Sequence, residues 1–322
     1  MSIRYPMQLQ PIYKDYLWGG NSLCKLYCKE SNLPVTAESW ELSCHQDGLS
    51  IVKNGAYKGQ TLYEVLEKHK EFIGTKGKNA DNFPVLVKFI DAGKDLSIQV
   101  HPSDETAIWE QGEAGKAEMW YIVKAEPHAF IYYGLKEEIS EHALEERAKN
   151  GTICEVLNKV YVKENDVFYI LPGTIHALGK GMVVAEVQQS SNTTFRVFDY
   201  MRKDKDGNLR PLHIGRAKEV INYEPIIPEK SGNNNMFQMD NFRFHTIFEC
   251  NYFKVSKVNC RIEMELYCDS DSFHGILVLK GRGKIILETE SISFKEGESI
   301  YIPSDMGVYK IIGECEFLLT RL

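Results

Sequence analysis

The stretch Leu96-Ser97-Ile98-Gln99-Val100-His101-Pro102 places two polar side chains two residues apart within an apolar, strand-like run. Successive side chains of a β-strand point to opposite faces, so residues i and i+2 share one face. We therefore predict that the amide of Gln99 and the imidazole of His101 point to the same side of a strand. Two potential metal ligands on one face make this stretch the starting point for both the fold and the site.

Two more potential ligands lie at the ends of strand-like runs. Glu118 directly precedes the apolar run at residues 119–123, and His176 follows the run at residues 167–171 after a Pro-Gly turn. Two imidazoles, one carboxylate and one amide oxygen suit a catalytic zinc site, because they hold the ion and leave a position open for water or substrate. A single histidine after a turn is more often a structural hydrogen-bonding group, but the spacing of all four residues favours a metal site.

Short apolar or alternating runs bounded by turn residues recur along the whole chain and predict a mostly β protein, built as a barrel or sandwich. These runs lie at residues 83–90, 96–100, 119–123, 167–171, 183–187, 253–258, 275–279, 283–287, 299–302 and 317–319. Three other stretches predict short helices from caps and periodicity. They are the segment after Thr61 and Glu64, the segment from Ser103 through Trp109, and the segment from Leu135 to Asn150-Gly151.

The chain of 322 residues exceeds the usual size of a single domain, so we predict two domains. Residues 226–240 are polar, rich in turn residues and poor in periodicity, which is typical of a linker. We therefore assign residues 1–225 to a first domain with N-terminal strands and helical insertions. Residues 241–322 form a second, smaller all-β domain.

Charge and composition argue against several classes of partner. The net charge is −7 and no basic stripe is present, so we predict no nucleic-acid partner. The first residues lack the apolar segment of a signal peptide, and no apolar run is long enough to cross a membrane. We therefore expect a cytoplasmic protein without a membrane partner, and a monomer because no coiled coil or apolar interface segment is evident.

Further motifs accompany the four potential ligands and carry a family resemblance. They are Trp18-Gly-Gly, Glu38-Ser-Trp-Glu41, Phe83-Pro-Val-Leu-Val-Lys88, Lys116-Ala-Glu118-Met-Trp, Gly173-Thr-Ile-His176-Ala and Arg196-Val-Phe-Asp-Tyr200. With Leu-Ser-Ile-Gln-Val-His-Pro they make the chain, from Trp18 to about Val220, resemble the short bacterial form of type I mannose-6-phosphate isomerases, a family of the cupin superfamily. The resemblance implies two cupin (jelly-roll) β-barrels with a few short helices, the first of them catalytic.

The resemblance also implies a set of functional residues. One Zn²⁺ per chain would be bound by the four ligands Gln99, His101, Glu118 and His176. Arg196 matches the catalytic arginine of the family, Lys88 and Ser97 match substrate-pocket positions, and Glu186 matches a nearby acid. The implied substrate is a hexose 6-phosphate, with mannose 6-phosphate and fructose 6-phosphate interconverted through a cis-enediol intermediate.

The residue that moves the proton between C1 and C2 is left open by the sequence. Lys116 is favoured as the base, because a dication bound two residues away should lower the pKa of its ammonium group. Glu186 is the alternative. Lys88 and Ser97 are expected to hold the phosphate end of the substrate. For Lys88, the alternative is a side chain that reaches out of the barrel to solvent.

The chain departs from the larger family members beyond Arg196, where the family has a phosphate-contacting lysine. Here Arg202, Lys203 and Arg210 are candidates, and a solvated basic loop is the alternative role for them. In the second domain, residues 297–303 resemble half of a cupin motif without a ligand set. We therefore expect that domain to be a metal-free packing partner.

Three other functions remain open. A non-catalytic cupin that binds sugar phosphates would keep the barrel but would not need a full metal set flanked by Lys and Arg. A cupin oxygenase would bind iron through several histidines, whereas Gln99 and Glu118 favour a redox-inert ion. An isomerase of another hexose phosphate fits the same motifs, because discrimination at C2 depends on pocket shape.

Overall fold

Three antiparallel β-sheets form the framework of the computed structural model, which describes residues 3–78, 80, 82–107, 113–203, 206–228, 236–288 and 290–322. The strands before the predicted linker are β1 Met7–Gln10, β2 Ile12–Lys14, β3 Glu38–Leu42, β4 Ile51–Val52, β5 Val85–Ala92, β6 Ile98–Val100, β7 Glu118–Ala125, β8 Phe130–Leu135, β9 Leu157–Tyr161, β10 Val167–Ile170, β11 His176–Leu178, β12 Met182–Gln189 and β13 Phe195–Phe198. The later strands are β14 Met236–Gln238, β15 Phe242–Glu249, β16 Lys254–Cys260, β17 Glu263–Cys268, β18 His274–Ile286, β19 Ser291–Lys295, β20 Ser299–Ile302 and β21 Gly307–Arg321.

The central sheet has the strand order β10-β7-β12-β5-β3-β2 and is covered on both faces. Along β5, Val85, Val87 and Phe89 pack in a core shared with the C-terminal strands. Ile90, on the opposite face, packs in a second core with residues of β8 and β11. Since side chains alternate between faces, Lys88 lies on this second side. The prediction of a strand at residues 83–90 is confirmed, with its ends shifted by two residues.

The outer sheet has the order β13-β6-β11-β8-β9 and packs against the second face of the central sheet. Arg196 pairs with Gln99 across β13 and β6, and Gln99 pairs with His176 across β6 and β11. Directly paired residues of antiparallel strands point to the same face, so these three side chains form one row. The other face of this sheet is apolar, through residues such as Ile98 and Val100, and is covered by helices.

The C-terminal sheet contains ten strands, including two from the N-terminal part of the chain. β1 pairs with β20 and with β4, so the chain ends are joined in one sheet. β14 pairs with β15 and lies inside the segment predicted as a linker at residues 226–240, so part of that segment is strand. Two predicted runs, 275–279 and 283–287, belong to the single strand β18.

The mostly β class is confirmed, and the strand pairings within the described ranges leave all three sheets open rather than closed into barrels. The core lies in the interfaces between the layers, where most of the large buried aromatic and aliphatic side chains are found. The arrangement of the first two sheets encloses the face on which the predicted ligands lie. Sheets that pack face to face are about 10 Å apart. The gap between these two sheets can therefore hold polar side chains wherever they take the place of large apolar ones.

The sequence predicts three helices, and the described part of the chain contains five short α-helices. They are α1 Ser22–Tyr27, α2 Leu62–Lys68, α3 Asp104–Ala107, α4 Glu141–Asn150 and α5 Ile214–Val220, with 3₁₀ turns at Gly55–Tyr57, Lys70–Phe72 and Ile153–Val156. The predicted capping box of Thr61 and Glu64 is confirmed at the start of α2. The third prediction began too early, because Leu135 ends strand β8 and α4 starts at Glu141. The prediction that α3 continues to Trp109 falls outside the described residues.

No helix in the described ranges is long and apolar enough to cross a membrane.

A buried ion pair joins the central sheet to the C-terminal sheet. Lys29 Nζ lies 2.5 Å from Glu41 Oε1, and their side chains are 6% and 0% exposed. Lys29 also donates a hydrogen bond to the carbonyl of Gly297, and the Ser299 hydroxyl donates to the Glu41 carbonyl at 2.7 Å. Burial raises the pKa of the Glu41 carboxyl, although Lys29 opposes this shift. The pair therefore compensates a charge that has no access to water.

Replacing Lys29 by Met should destabilise the protein by about 3 to 5 kcal/mol, because it leaves a buried carboxylate without a partner. The free energy of unfolding from urea titration measures this loss. A carboxyl whose pKa is raised by folding gains a proton as it folds, so the deficit should shrink as the pH falls from 7 towards 5.

The double variant Lys29→Met with Glu41→Gln should recover most of the lost stability. The matched control is Lys149→Met on α4, which removes a lysine that is 54% exposed and pairs with Glu145. It should change stability by no more than about 0.5 kcal/mol. Equal losses for Lys29→Met and Lys149→Met would contradict the importance of the buried pair.

Candidate active site

Three of the predicted ligands form a compact, buried group. One donor atom each of His101, Glu118 and His176 lies within 4.8 Å of the other two, and all three residues are buried. Glu118 is the first residue of β7 and His176 the first of β11, while His101 directly follows β6. Ligands at strand ends are held by the hydrogen bonds of two sheets, so the group is positioned before any ion binds.

The hydrogen bonds around the group leave the correct atoms available for a metal. His176 Nδ1 lies 2.8 Å from the carbonyl of Thr174. A carbonyl only accepts, so Nδ1 carries the proton and Nε2 presents a lone pair. His101 Nε2 lies 3.3 Å from Glu118 Oε1, but in the part of the chain that the structure describes neither ring nitrogen of His101 nor Oε2 of Glu118 makes a hydrogen bond. Buried polar atoms are normally paired, and a cation would satisfy these.

The amide of Gln99 adjoins the same group. Its Nε2 lies 3.5 Å from His176 Nε2, and the two residues are direct strand partners. Rotation of the amide by 180° exchanges its nitrogen and oxygen, so the oxygen can take the position beside His176. This arrangement agrees with the prediction that Gln99 and His101 share a face. The amide oxygen of Gln99 is therefore available as a fourth, neutral ligand.

The two histidines are suited to bind a cation because both are neutral at physiological pH. Burial lowers the pKa of His101 to about 3, and the positive charge of Lys116 adds to this effect. Burial also lowers the pKa of His176. A protonated imidazole cannot ligate a metal, so these shifts favour binding. The residues present therefore fit a divalent metal ion.

The group borders a cavity of about 270 Å³ between the central and outer sheets. Lys88, Ser97, Gln99, Lys116, Glu118, Glu186 and Arg196 line it, as do Tyr16, Trp18, Glu38, Trp120, Asn192, Thr194 and Arg210. Seven of the nine predicted site residues thus face one cavity. The remaining two, His101 and His176, lie beside Glu118.

Inside the cavity the lysines are paired with carboxylates. Lys88 Nζ lies 2.8 Å from Glu186 Oε1 and 3.7 Å from Glu38 Oε2. Lys116 Nζ lies 3.4 Å from Glu118 Oε1. All these side chains are less than 10% exposed. Lys88 therefore does not reach out to solvent, which was the alternative left by its sequence position.

Indole groups orient two of these carboxylates. Trp120 Nε1 donates to Glu186 at 2.6 Å, and Trp40 Nε1 donates to Glu38 at 2.7 Å. Burial and the negative charge of Glu118 raise the pKa of Glu186 to about 7. A carboxyl group with a pKa near neutrality can accept and release a proton under physiological conditions.

Glu38 and the two tryptophans were not assigned a role from the sequence. The motif Glu38-Ser-Trp-Glu41 is part of the family resemblance, but the motif alone does not indicate that Glu38 contacts a lysine 50 residues away. The signal that would have found Glu38 is the alternation of β3, which places Glu38 on the cavity side. Its contact with Lys88 is a product of the strand pairing between β3 and β5.

Arg196 lies beside the metal-ligand group, next to Gln99 in the row of strand partners. Its Nη1 donates to the carbonyl of Pro211 at 2.8 Å, while Nε is buried and has no partner among the described residues. Burial and repulsion by Arg210 lower the pKa of Arg196 to about 10, so the guanidinium remains charged. A cation with an unused donor thus faces the cavity.

Larger cavities lie elsewhere, with volumes of about 1110, 740 and 640 Å³. The first and third are lined by the C-terminal sheet, and the second lies between Leu322, Gly77 and Phe83. None of the three borders the His-Glu-His group, which is the one group of this kind found among the described residues. Volume alone therefore does not indicate the reactive centre.

Comparison with known proteins identifies the family of this chain. A family model described as "Phosphomannose isomerase type I, catalytic domain" matches residues 7–123, and one described as "Mannose-6-phosphate isomerase, cupin domain" matches residues 244–322. The mannose-6-phosphate isomerase ManA of Bacillus subtilis (strain 168) is 40% identical over 319 residues, which cover 98% of this chain and 99% of the relative. The mannose-6-phosphate isomerase of Streptococcus mutans is 33% identical and covers 98% of each chain.

A solved structure shares the whole fold. The mannose 6-phosphate isomerase from Bacillus subtilis superimposes with a TM-score of 0.92 at 34% identity, over 98% of this chain and 99% of that one. The cupin fold class predicted from the sequence is thereby confirmed. This chain belongs to the type I mannose-6-phosphate isomerase family.

Proposed function

We propose that this protein is a zinc-dependent isomerase that interconverts mannose 6-phosphate and fructose 6-phosphate. The observation that carries the proposal is the buried His101-Glu118-His176 group, because its Glu118 lines a cavity together with acidic, basic and cationic side chains. The names of the relatives agree with the proposal. A cavity of about 270 Å³ is at the small end of ligand sites, which suits a single sugar phosphate.

The metal would be held by His101, Glu118, His176 and the amide oxygen of Gln99. Two imidazoles with one carboxylate are typical of a catalytic zinc site, and the neutral amide leaves a divalent ion with a net charge of +1. When bound, zinc supplies a redox-inert Lewis acid next to the substrate oxygens. Two histidines with one carboxylate also bind the iron of non-haem oxygenases, so zinc is proposed here on the names of the relatives, and the metal dependence of turnover distinguishes the two ions.

An aldose and a ketose interconvert when a proton moves between C2 and C1 and a second proton moves between the two oxygens. We propose that the reaction passes through a cis-enediol. The carbon acid is weak, so the site must stabilise negative charge that develops on the carbonyl oxygen. Arg196 is placed for this task, because its charged side chain faces the cavity beside the ligand Gln99.

Two residues are candidates for the base that moves the carbon-bound proton. Lys116 faces the cavity and contacts Glu118, so it lies next to the metal position. Glu186 also faces the cavity, with both oxygens oriented by Lys88 and Trp120. We retain Lys116 as the proposed base because it lies beside the predicted ligand Glu118, and Glu186 remains the alternative. Lys88 and Ser97 both line the cavity and are proposed to hold the phosphate end of the substrate.

Location and assembly belong to the same proposal. We propose a cytoplasmic monomer that acts on a small hexose phosphate and binds neither nucleic acid nor membranes. The net charge of −7 supports the exclusion of nucleic acid, because a phosphate backbone would be repelled.

The proposed activity is tested by mixing the purified protein with mannose 6-phosphate and following fructose 6-phosphate in a coupled assay. We expect turnover that is lost after chelator treatment and restored by zinc alone. Iron-dependent oxygen uptake would favour an oxygenase instead. A zinc-replete protein that binds mannose 6-phosphate without turnover would favour the non-catalytic alternative, and turnover of a different hexose phosphate would change the substrate.

The ligand assignment and the arginine assignment predict different losses. Changing His101 or His176 to Ala should lower bound zinc, measured by atomic emission, and activity together. Arg196→Ala should keep one zinc per chain but lower kcat by about 10²- to 10³-fold. Losses of this size are typical when a group that stabilises developing charge is removed. Arg216→Ala, an exposed arginine on α5, is the control. Zinc-replete Arg196→Ala protein with full activity would contradict the role of Arg196.

The two base candidates can be separated by isotope exchange in D₂O. If Lys116 is the base, Lys116→Met should abolish deuterium uptake at C2 of mannose 6-phosphate and lower kcat by about 10²- to 10⁴-fold. Glu186→Gln should then retain exchange. The reverse pattern would assign the base to Glu186. Zinc content must be measured in both variants, because Lys116 contacts the ligand Glu118.

A further inference from the structure

Two cysteines lie opposite each other on neighbouring strands of the C-terminal sheet. In the register of β16 with β21, Cys260 is the direct partner of Cys315. Both side chains belong to the same apolar core, so they lie on one face of the sheet. Among the other six cysteines only Cys268 lies in a strand, and its partner there is Gly307. The chain therefore has one pair of cysteines that strand pairing brings together within the described residues.

The separation of direct strand partners suits a disulfide bond. Directly opposite residues of antiparallel strands have Cα atoms about 4.5 to 5.5 Å apart. Disulfides join residues whose Cα atoms are roughly 4.4 to 6.8 Å apart. All eight cysteines are free thiols in the structure. A bond between Cys260 and Cys315 would thus form without a change in the register of β16 or β21.

The pair lies where the chain turns from β16 to β17. Cys260 is the last residue of β16, and β17 begins at Glu263. Both strands pair with β21, and Gly313 N donates to the carbonyl of Ile262 in the turn at 2.8 Å. A bond between Cys260 and Cys315 would therefore hold this corner of the sheet to β21 covalently.

Burial limits which oxidant can reach the pair. Cys260 is 2% exposed and Cys315 is 5% exposed. Buried thiols in apolar surroundings are ordinarily inert, because the thiolate is the reactive form and burial disfavours it. Here the contact with the Cys315 thiol lowers the pKa of Cys260, while the contact with Cys260 raises the pKa of Cys315. Cys260 is therefore the better nucleophile, and a small uncharged oxidant suits its limited exposure.

We propose that Cys260 and Cys315 form a site of reversible oxidation, at which hydrogen peroxide converts the two thiols into a cross-strand disulfide. The thiolate of Cys260 attacks one peroxide oxygen, the O–O bond breaks, and the departing hydroxide takes up the proton that Cys260 released. The sulfur of Cys315 then attacks the resulting sulfenic acid, the S–O bond breaks, and a second water leaves with the proton of Cys315. Two thiols and one peroxide thus give one disulfide and two waters. A small thiol restores both cysteines by exchange.

The test maps disulfides in the purified chain after reduction, removal of the reductant and titration with hydrogen peroxide. Remaining thiols are alkylated, and the chain is cleaved with trypsin, which cuts after Lys and Arg. Cys260 and Cys315 then lie in separate peptides, residues 258–261 and 311–321, each with a single cysteine. Mass spectrometry should find these two peptides joined, and dithiothreitol should separate them. The oxidised chain should also unfold at a urea concentration roughly 1 M higher, because the bond restricts the unfolded chain.

Two variants test the order of the steps and the specificity of the pair. Cys315→Ser removes the second thiol, so it should retain a sulfenic acid at Cys260 that dimedone labels. Cys268→Ser is the matched control, because Cys268 is buried in the same core and its thiol donates to the carbonyls of Ser272 and Pro303. It should form the cross-link like the wild type, and circular dichroism should show that both variants are folded.

Three results would overturn the proposal, and none of them depends on the proposed isomerase activity. The first is peroxide that oxidises the exposed Cys28 but leaves Cys260 and Cys315 unlinked. The second is a cross-link that appears only in urea, because the strand pairing of the folded sheet would then not be its cause. The third is a Cys315→Ser protein in which Cys260 takes up no dimedone.

Discussion

The structure depends on one constraint: the central sheet is covered on both faces, so the charges in the middle of its strands must be compensated inside the protein. On one face of β5 and β12, Val87 and Ala185 pack in an apolar core. On the other face, Lys88 and Glu186 are direct strand partners and form an ion pair. A single buried charge without a partner would cost several kcal/mol. The polar cavity is therefore possible only because its charges come in neighbouring sets of opposite sign.

The same constraint makes the site rigid. Glu118, Gln99 and His176 belong to strands that are held on both edges by other strands, and Arg196 continues the row. The indole of Trp120 fixes the carboxylate of Glu186, so the side chains around the cavity have few alternative positions. Preorganised groups of this kind stabilise developing charge without a cost of reorientation during the reaction.

The sequence predicted what depends on local periodicity and caps. The alternation around Gln99 and His101, the strand β5 and the capping box of α2 all follow from residues within one turn or one strand. It did not predict the pairing of β1 with β20, which joins residues almost 300 positions apart, because any exposed strand edge could accept such a partner. The contact between Glu38 and Lys88 was not predicted either, because it depends on which two strands pair. Helical periodicity also wrongly predicted that the third helix begins at Leu135, whose apolar side chain belongs to the end of strand β8.

The distribution of charge explains how a protein with a net charge of −7 can still have a positive field inside one cavity. At physiological ionic strength the screening length is about 8 Å, so distant carboxylates contribute little to that field. The field on one side of the cavity is set by Arg196 and Arg210, against a carboxylate of Asp199 that is also bound by Arg202. Elsewhere in the cavity, the charges of Lys88 and Lys116 are compensated by carboxylates. Positive charge is therefore concentrated on the arginine side, which is the property that the proposed anionic substrate requires.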